Sequence, residues 1–255
     1  MGQPGRLGVD HYLEGGVAAT LRALARLARE QRLTDRAAES PYRATQLARH
    51  TDEVQALEQI EERAAAGTAI DPVLVAATLR RLLADEDPIV VDETITHSRV
   101  VQRHLRRETP DSYFYVQGGL GQGIAVALGV KLAAPDRTVV FTVGDGAYLY
   151  NPIVQSLHAS QAHDLPVLIV VFNDHKYLSM QMNHLRFYPD GAAVDTGEWL
   201  GVDLSTQPDP ARFAEPFGFH TESVTTASDL EAALDRALKS VRGGTTAVVN
   251  VAVSR

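Results

Sequence analysis

Two groups of polar residues that could bind a metal ion follow apolar runs within residues 138–174. Asp145, between two glycines, follows VVFTV, and Asn173 and Asp174 follow PVLIVVF. Both runs are short and rich in β-branched residues, as in buried strands of parallel sheets, and one crossover helix fits between them. Both polar groups would then lie at the carboxyl edge of the sheet, where ligands bind in α/β folds. The alternative for the GDG sequence alone is an ordinary turn.

Asp145 has the surroundings that a bridging cation requires. Its two flanking glycines allow the backbone to approach an anion, and its carboxylate could coordinate a cation that also contacts that anion. A magnesium ion that holds a diphosphate needs this arrangement. The carboxyl end of the next apolar run makes the interpretation stronger, because it brings a second set of oxygen ligands to the same edge.

A glycine cluster at residues 118–123 lies between a predicted strand at 112–117 and a predicted helix at 124–134. A dinucleotide-binding motif requires this context. However, Ile124 occupies the place of the third glycine, and no acidic residue ends a second strand about 20 residues later. A dinucleotide-dependent oxidoreductase is therefore the least favoured function. Glycines that allow a helix and a strand to pack closely are the structural alternative.

The composition excludes several classes of function. The 255 residues carry a net charge of -8 and no block of Lys or Arg, so nucleic acid is not expected as a partner. Cysteine is absent, which excludes disulfides, thiolate metal sites and cysteine nucleophiles. The start lacks the apolar segment of a secretory signal, and no run is long enough to span a membrane. A cytoplasmic location without membrane contact is expected.

The pattern of elements predicts two parts, a helical extension at residues 1–66 and a binding domain at 67–255. The first part has helical periodicity at 17–29 and about 42–66, joined by a polar stretch, and is too small to form a core alone. In the second part predicted strands alternate with helices, which indicates an α/β fold with a doubly wound, mostly parallel sheet. Residues 175–209 show no regular pattern, as in loops that cover active sites.

Residues 72–255 resemble the diphosphate-binding, C-terminal domain of thiamine diphosphate-dependent enzymes, in the group of acetolactate synthases and benzoylformate decarboxylase. The resemblance is carried by three motifs in order: SYFYVQGGLGQGIAVALGVKLAAPDR, VVFTVGDGAYL and DLPVLIVVFNDHKY. It implies thiamine diphosphate and Mg²⁺ as cofactors. It also implies a small 2-oxo acid as substrate, which is decarboxylated before the resulting carbanion is protonated or joined to an acceptor.

The resemblance assigns site residues position by position. Asp145 would be the first metal ligand, and Asp174 would be the second, where the family has asparagine. Asn173 is the alternative second ligand, and the backbone carbonyl of Lys176 would be the third. Leu120 would be the bulky side chain that bends the cofactor. The other cofactor contacts would be Thr94, Thr96, His97, Gly118, Gly119, Gly144, Gly146, Ala147, Asn173, Tyr177 and Leu178.

The substrate pocket is expected near Met180, Gln181 and Asn183, with Asn183 at the place of the selectivity tryptophan of acetolactate synthases. The glutamate that activates the cofactor belongs in this family to a separate pyrimidine-binding domain, and Glu93 lies in the wrong motif for that role. We therefore expect a second polypeptide to supply it, in a heteromeric enzyme, with a heterotetramer as the expected assembly. The alternative is a non-catalytic or regulatory subunit that binds thiamine diphosphate.

Overall fold

A computed structural model describes residues 12–38, 40–116 and 119–254 of the chain. The chain forms two compact units, residues 1–56 and residues 57–255. The first contains α1 (Val17–Glu30), α2 (Leu33–Ala38) and the beginning of α3 (Pro41–Ala65), which continues into the second unit. The two long helices agree with the periodicity, whereas α2 forms within the stretch expected to be a polar join. The domain boundary predicted after residue 66 stays a prediction.

The second unit contains a six-stranded sheet in which every paired strand is parallel, in the order β2-β1-β3-β4-β6-β5. The strands are β1 (Ile89–Glu93), β2 (Tyr113–Tyr115), β3 (Val139–Gly144), β4 (Leu168–Asn173), β5 (His220–Val224) and β6 (Ala247–Ala252). The helices are α4 (Pro72–Leu82), α5 (Ser98–Leu105), α6 (Gly123–Ala133), α7 (Asp145–Tyr150), α8 (Ile153–Ala162), α9 (Leu178–Phe187), α10 (Ala192–Thr196) and α11 (Ala227–Arg242). The predicted α/β fold class is confirmed.

The sheet is covered on both faces, which explains why its central strands are apolar at most positions. Along β4, Leu168 and Val170 pack in the cluster with residues of α4 and α11. Ile169 and Val171 pack in the opposite cluster, with residues of α6 and α8. A strand with two buried faces reads as a continuous apolar run, because neither set of alternating side chains reaches water.

Three local predictions need correction. The connection from β3 to β4 contains two helices, α7 and α8, because Pro152 follows Asn151 and interrupts the helix there. The stretch at 175–209, expected to be irregular, contains α9 and α10. The nearly all-apolar sequence of α6 predicts a buried helix, but α6 buries one face only, and Leu132 on another face is 69% exposed.

The order of the strands determines which strand ends meet at the candidate site. β3 and β4 are direct neighbours, and Gly144 pairs with Phe172 in their register. Glu93 at the end of β1 pairs with Val143 on the other side of β3. The residues that follow these three strands therefore meet at one edge of the sheet. None of the helices in the described ranges combines the length and apolar character that a bilayer crossing requires.

Candidate functional site

Asp145 is the first residue of α7 and is 4% exposed. Its Oδ1 accepts a hydrogen bond from the N–H of Gly146 at 2.7 Å, and its Oδ2 accepts one from the N–H of Lys176 at 3.1 Å. The carboxylate thus joins the segment after β3 to the segment after β4. Gly146 is required beside it, because a Cβ there would lie 2.5 Å from the ring of Tyr177.

Asp174 brings a second buried carboxylate to the same place. Its side chain is 5% exposed, and its Oδ2 lies 3.8 Å from Nε2 of His97. Its Oδ1 is buried and has no hydrogen-bond partner among the residues that the structure describes. Burial and then the negative charge of Asp174 raise the pKa of Asp145 to about 7, against the hydrogen bonds from backbone N–H groups. Two buried carboxylates, one with an unpaired oxygen, are a donor set that suits a divalent cation.

Asn173 lies next to this pair, but both ends of its side chain already have protein partners. Its Oδ1 accepts from the N–H of His175 at 3.0 Å, and its Nδ2 donates to Oδ1 of Asn250 at 3.1 Å. Asn250 in turn donates to Asp209 at 3.0 Å. The Asn173 side chain therefore fixes the turn after β4 in the structure.

The segment after β4 is hydrogen-bonded to residues 202–204. His175 adopts a positive φ of 58°, and its carbonyl accepts from the N–H of Leu204 at 2.8 Å. The N–H of Tyr177 donates to the carbonyl of Val202 at 2.9 Å, and Lys176 between them forms a bridge with Asp203. These bonds define the position of the Lys176 backbone beside Asp145.

The two carboxylates open into a cleft at the carboxyl edge of the sheet. Most of the residues predicted to contact a cofactor line it, together with three that were not predicted, Ile95, Phe172 and Ser179. The lining residues are Thr94, Ile95, Thr96, His97, Leu120, Gly144, Asp145, Gly146, Ala147, Phe172, Asp174, Lys176, Tyr177, Leu178 and Ser179. Gly119 and Asn173 lie beside the cleft and do not line it, and Gly118 lies outside the described residues.

The loop after β1 is fixed by a buried carboxylate, Asp92. Its Oδ1 accepts from the N–H and the hydroxyl of Thr94 and from the hydroxyl of Thr142, and its Oδ2 accepts from the hydroxyl of Tyr113. The next residue, Ile95, has φ of 55°, which is an uncommon conformation for a β-branched residue. No sequence signal indicates the positive φ of Ile95, because isoleucine is among the residue types least expected in that conformation.

The carboxylate of Glu93 is also buried, and three of its four hydrogen-bond donors lie in the glycine cluster. Its oxygens accept from the backbone N–H groups of Gly121, Gln122 and Gly123 and from the amide of Asn151. Gly121 has φ of 91°, as glycine readily adopts. These N–H groups are therefore unavailable to a phosphate, which argues against a dinucleotide-binding loop here. Glu93 was recognised in the sequence only as a residue in the wrong motif for activating the cofactor.

The residues predicted for the substrate pocket lie outside the acidic cleft. Met180 and Asn183 line a neighbouring hollow with Phe187, Trp199 and Leu200. Gln181 lines another one with His175 and Trp199. The structure thus places Met180 and Asn183 in one hollow and Gln181 in another, and their contact with a substrate stays a prediction.

Fold and site together define a class: a doubly wound α/β domain with an acidic cleft at the carboxyl edge of its sheet. Residues 94–251 match the family described as "Thiamine pyrophosphate enzyme, C-terminal TPP binding domain", and the chain belongs to this family. The resemblance stated from the motifs is confirmed, and the family is one of thiamine diphosphate-dependent enzymes.

Individual relatives come from the same group. The chain is 32% identical over 187 residues to acetolactate synthase isozyme 3 large subunit of Escherichia coli, an alignment that covers 72% of this chain and 31% of that protein. It is 27% identical to benzoylformate decarboxylase of Pseudomonas aeruginosa over 63% of this chain and 29% of that protein. The solved structure of a 4-hydroxybenzoylformate decarboxylase from Rhodococcus jostii matches with a TM-score of 0.62 and 28% identity, covering 74% of this chain and 33% of that one. The chain thus spans about a third of the length of its relatives.

Proposed function

We propose that this chain is the diphosphate-binding subunit of a thiamine diphosphate-dependent enzyme that decarboxylates a 2-oxo acid and then protonates the product or joins it to an acceptor. One observation carries the proposal: Asp145 and Asp174 lie buried in one cleft, in a chain of this family, and an oxygen of Asp174 has no described hydrogen-bond partner. A divalent cation would satisfy that oxygen and offset the repulsion between the carboxylates. A diphosphate would supply the remaining ligands.

Mg²⁺ would be held by the side chains of Asp145 and Asp174 and by the backbone carbonyl of Lys176. The described residues contain no group of three or more His, Asp or Glu side chains placed to hold a metal, so the remaining ligands would be the Lys176 carbonyl and the diphosphate. We assign Asp174 rather than Asn173 as the second ligand, since Oδ1 of Asp174 has no described hydrogen-bond partner, whereas Oδ1 of Asn173 accepts from the N–H of His175.

The cleft walls have the character that the rest of the cofactor would need. Thr96 and His97 offer hydrogen-bond donors beside the carboxylates, and Leu120, which is 45% exposed, offers an apolar surface across the cleft. Thiamine diphosphate, when bound, supplies a carbon nucleophile and an electron sink for decarboxylation. The described side chains would bind and orient it, and they would exclude water from its diphosphate end.

We further propose that a second polypeptide supplies the pyrimidine-binding domain and its glutamate, in a cytoplasmic heterotetramer. One observation among the described residues supports this proposal. Glu93, a buried glutamate near the cleft, is engaged by four donors and does not line the cleft, so it is not free to contact the cofactor.

The metal assignment is tested by calorimetry with thiamine diphosphate and Mg²⁺ on the full chain and on Asp145→Ala. Loss of a charged ligand in a buried site should weaken binding by at least about 100-fold, because a charge-assisted contact contributes roughly 3 kcal/mol. Asp190→Ala, which removes an exposed carboxylate, is the matched control and should bind as the wild type does. Equal affinity of Asp145→Ala and the wild type would refute the assignment.

The need for a partner is tested by activity. The purified chain should release no carbon dioxide from pyruvate or benzoylformate, and it should gain activity when a partner recovered by pull-down is added. Full activity of the chain alone would contradict the split site. Cofactor binding without turnover, even with the partner present, would instead identify a non-catalytic subunit, which the aspartate at position 174 and the asparagine at position 183 leave as the second candidate.

A further inference from the structure

Glu93 is a fully buried carboxylate, 0% exposed, for which neither the cleft nor the proposed chemistry has a direct use. Its Oε1 accepts from the N–H groups of Gly121 at 2.8 Å and Gln122 at 3.2 Å. Its Oε2 accepts from the N–H of Gly123 at 3.0 Å and from Nδ2 of Asn151 at 2.8 Å. Four donors match the four lone-pair sites of a carboxylate, which makes its burial tolerable.

Asn151 extends this network to the GDG segment. It follows α7, and its Nδ2 donates to the carbonyl of Ala147 as well as to Glu93, both at 2.8 Å. Its Oδ1 accepts from the N–H of Ile124 at 3.1 Å. A single side chain therefore connects the end of β1, the start of α6 and the interior of α7.

Each connected segment contributes residues to the acidic cleft. The loop that follows Glu93 contributes Thr94 to His97, the glycine cluster contributes Leu120, and the start of α7 contributes Asp145 and Ala147. Glu93 and Asn151 do not line the cleft themselves. Their hydrogen bonds are thus placed to set the relative positions of three cleft walls.

We propose that Glu93 and Asn151 are a pair of positioning residues that preform the cofactor cleft, an inference that rests on the proposed function. The Glu93 carboxylate accepts from the N–H groups of Gly121, Gln122 and Gly123 and so fixes this turn in one conformation, with Leu120 lining the cleft. A preformed wall avoids the entropic cost of ordering a loop when the ligand binds. The pair therefore acts on cofactor affinity.

Glu93→Gln tests the proposal with almost no change of shape. The amide replaces one carboxylate oxygen by an NH₂ group, so two of the four donors face a donor and lose their hydrogen bonds. We expect the Kd for thiamine diphosphate with Mg²⁺, measured by calorimetry on the full chain, to rise about 10-fold. In the cofactor-free protein, hydrogen exchange at residues 119–124 should accelerate, because the Glu93 carboxylate protects three of these N–H groups.

Thr246→Val is the matched control for a merely structural effect. Thr246 is 1% exposed and lies before β6, at the opposite edge of the sheet. Its hydroxyl is bonded to Ser160 at 2.7 Å and to the N–H of Val167 at 3.2 Å, and valine removes both contacts without changing the shape. This variant should lower the Tm while its Kd stays within about two-fold of the wild type.

The outcomes separate the two proposals. If the wild-type chain does not bind thiamine diphosphate, either alone or with its partner, the proposed function fails and this inference fails with it. If the wild type binds and Glu93→Gln binds equally well, only the positioning role is overturned. Equal weakening in Glu93→Gln and Thr246→Val would also overturn it, since general destabilisation would then explain the loss. If Glu93→Gln does not fold, Asn151→Ala, which leaves Glu93 three of its donors, is judged by the same criteria.

Discussion

Replacing Asp174 by asparagine should stabilise the metal-free protein at alkaline pH. In that state two buried carboxylates share one cleft, and the oxygen Oδ1 of Asp174 has no described partner. Asparagine removes one of the two charges with little change of volume. The electrostatic repulsion between the Asp145 carboxylate and residue 174 then disappears.

The magnitude follows from the pKa of Asp145. Burial and then the charge of Asp174 raise it from 3.8 to about 7, and a shift of this size corresponds to about 4 kcal/mol. Asp174 is the second cause, so its removal should recover about 1–2 kcal/mol. The folded state binds the Asp145 proton more tightly than the unfolded chain does, so the metal-free fold loses stability as pH rises from about 4 through about 7. The stabilisation by Asp174→Asn is therefore expected at pH values above 7.

Thermal unfolding in EDTA measures the effect. At about pH 8 the Tm of Asp174→Asn should exceed that of the wild type by about 2–8 °C, because each kcal/mol shifts the Tm of a chain of this size by about 2–4 °C. At about pH 5 the pH-dependent part of the gain should vanish, since Asp145 is then protonated in the fold. Asp52→Asn, an exposed carboxylate on α3, should change neither value. A gain that is absent at pH 8, or the same at both pH values, would refute the reasoning.

Two further predictions concern the ion cluster of Glu61 with Arg80, His104 and Arg106 and the wall of the acidic cleft. Burial raises the pKa of Glu61, but hydrogen bonds from Arg80 and His104 and the charges of Arg80 and Arg106 lower it to about 2. Glu61→Gln should therefore cost about 1–2 kcal/mol at neutral pH after solvent screening, and this cost should shrink as pH falls from about 4.5 towards 2, as measured by urea unfolding. Leu120→Ala should weaken binding of thiamine diphosphate about 10- to 30-fold in calorimetry, through lost apolar contact, and unchanged affinity would show that this side chain does not face the cofactor.

The fold could be predicted where the signal is local. The apolar runs of β3 and β4 are rich in β-branched residues, and burial on both faces of the sheet is the reason. The start of α4 follows equally from Asp71 and Pro72, and the Asp71 side chain accepts from the N–H of Val73 at 2.7 Å. Each of these signals depends on residues close together in the chain.

The parts that could not be predicted depend on distant partners or on strained backbone. The burial of Glu93 is possible only because its donors, which lie 28 to 58 residues away, converge on it. The approach of His97 to Asp174 and the positive φ of Ile95 have no local pattern. Helices α9 and α10 are missed for another reason: none of their residues is buried, so no apolar stripe indicates them.

The glycine cluster shows how the structure changes the meaning of a motif. A glycine-rich turn that opens a helix ordinarily offers its N–H groups to a phosphate. Here Glu93 accepts those of Gly121, Gln122 and Gly123, so a negative charge of the protein already occupies that place. A diphosphate at this edge must then be held from the other side of β3, where Asp145 and Asp174 are themselves carboxylic acids that become negative on ionisation. Anion binding between carboxylates requires a cation, and this is the physical reason why the proposed function depends on Mg²⁺.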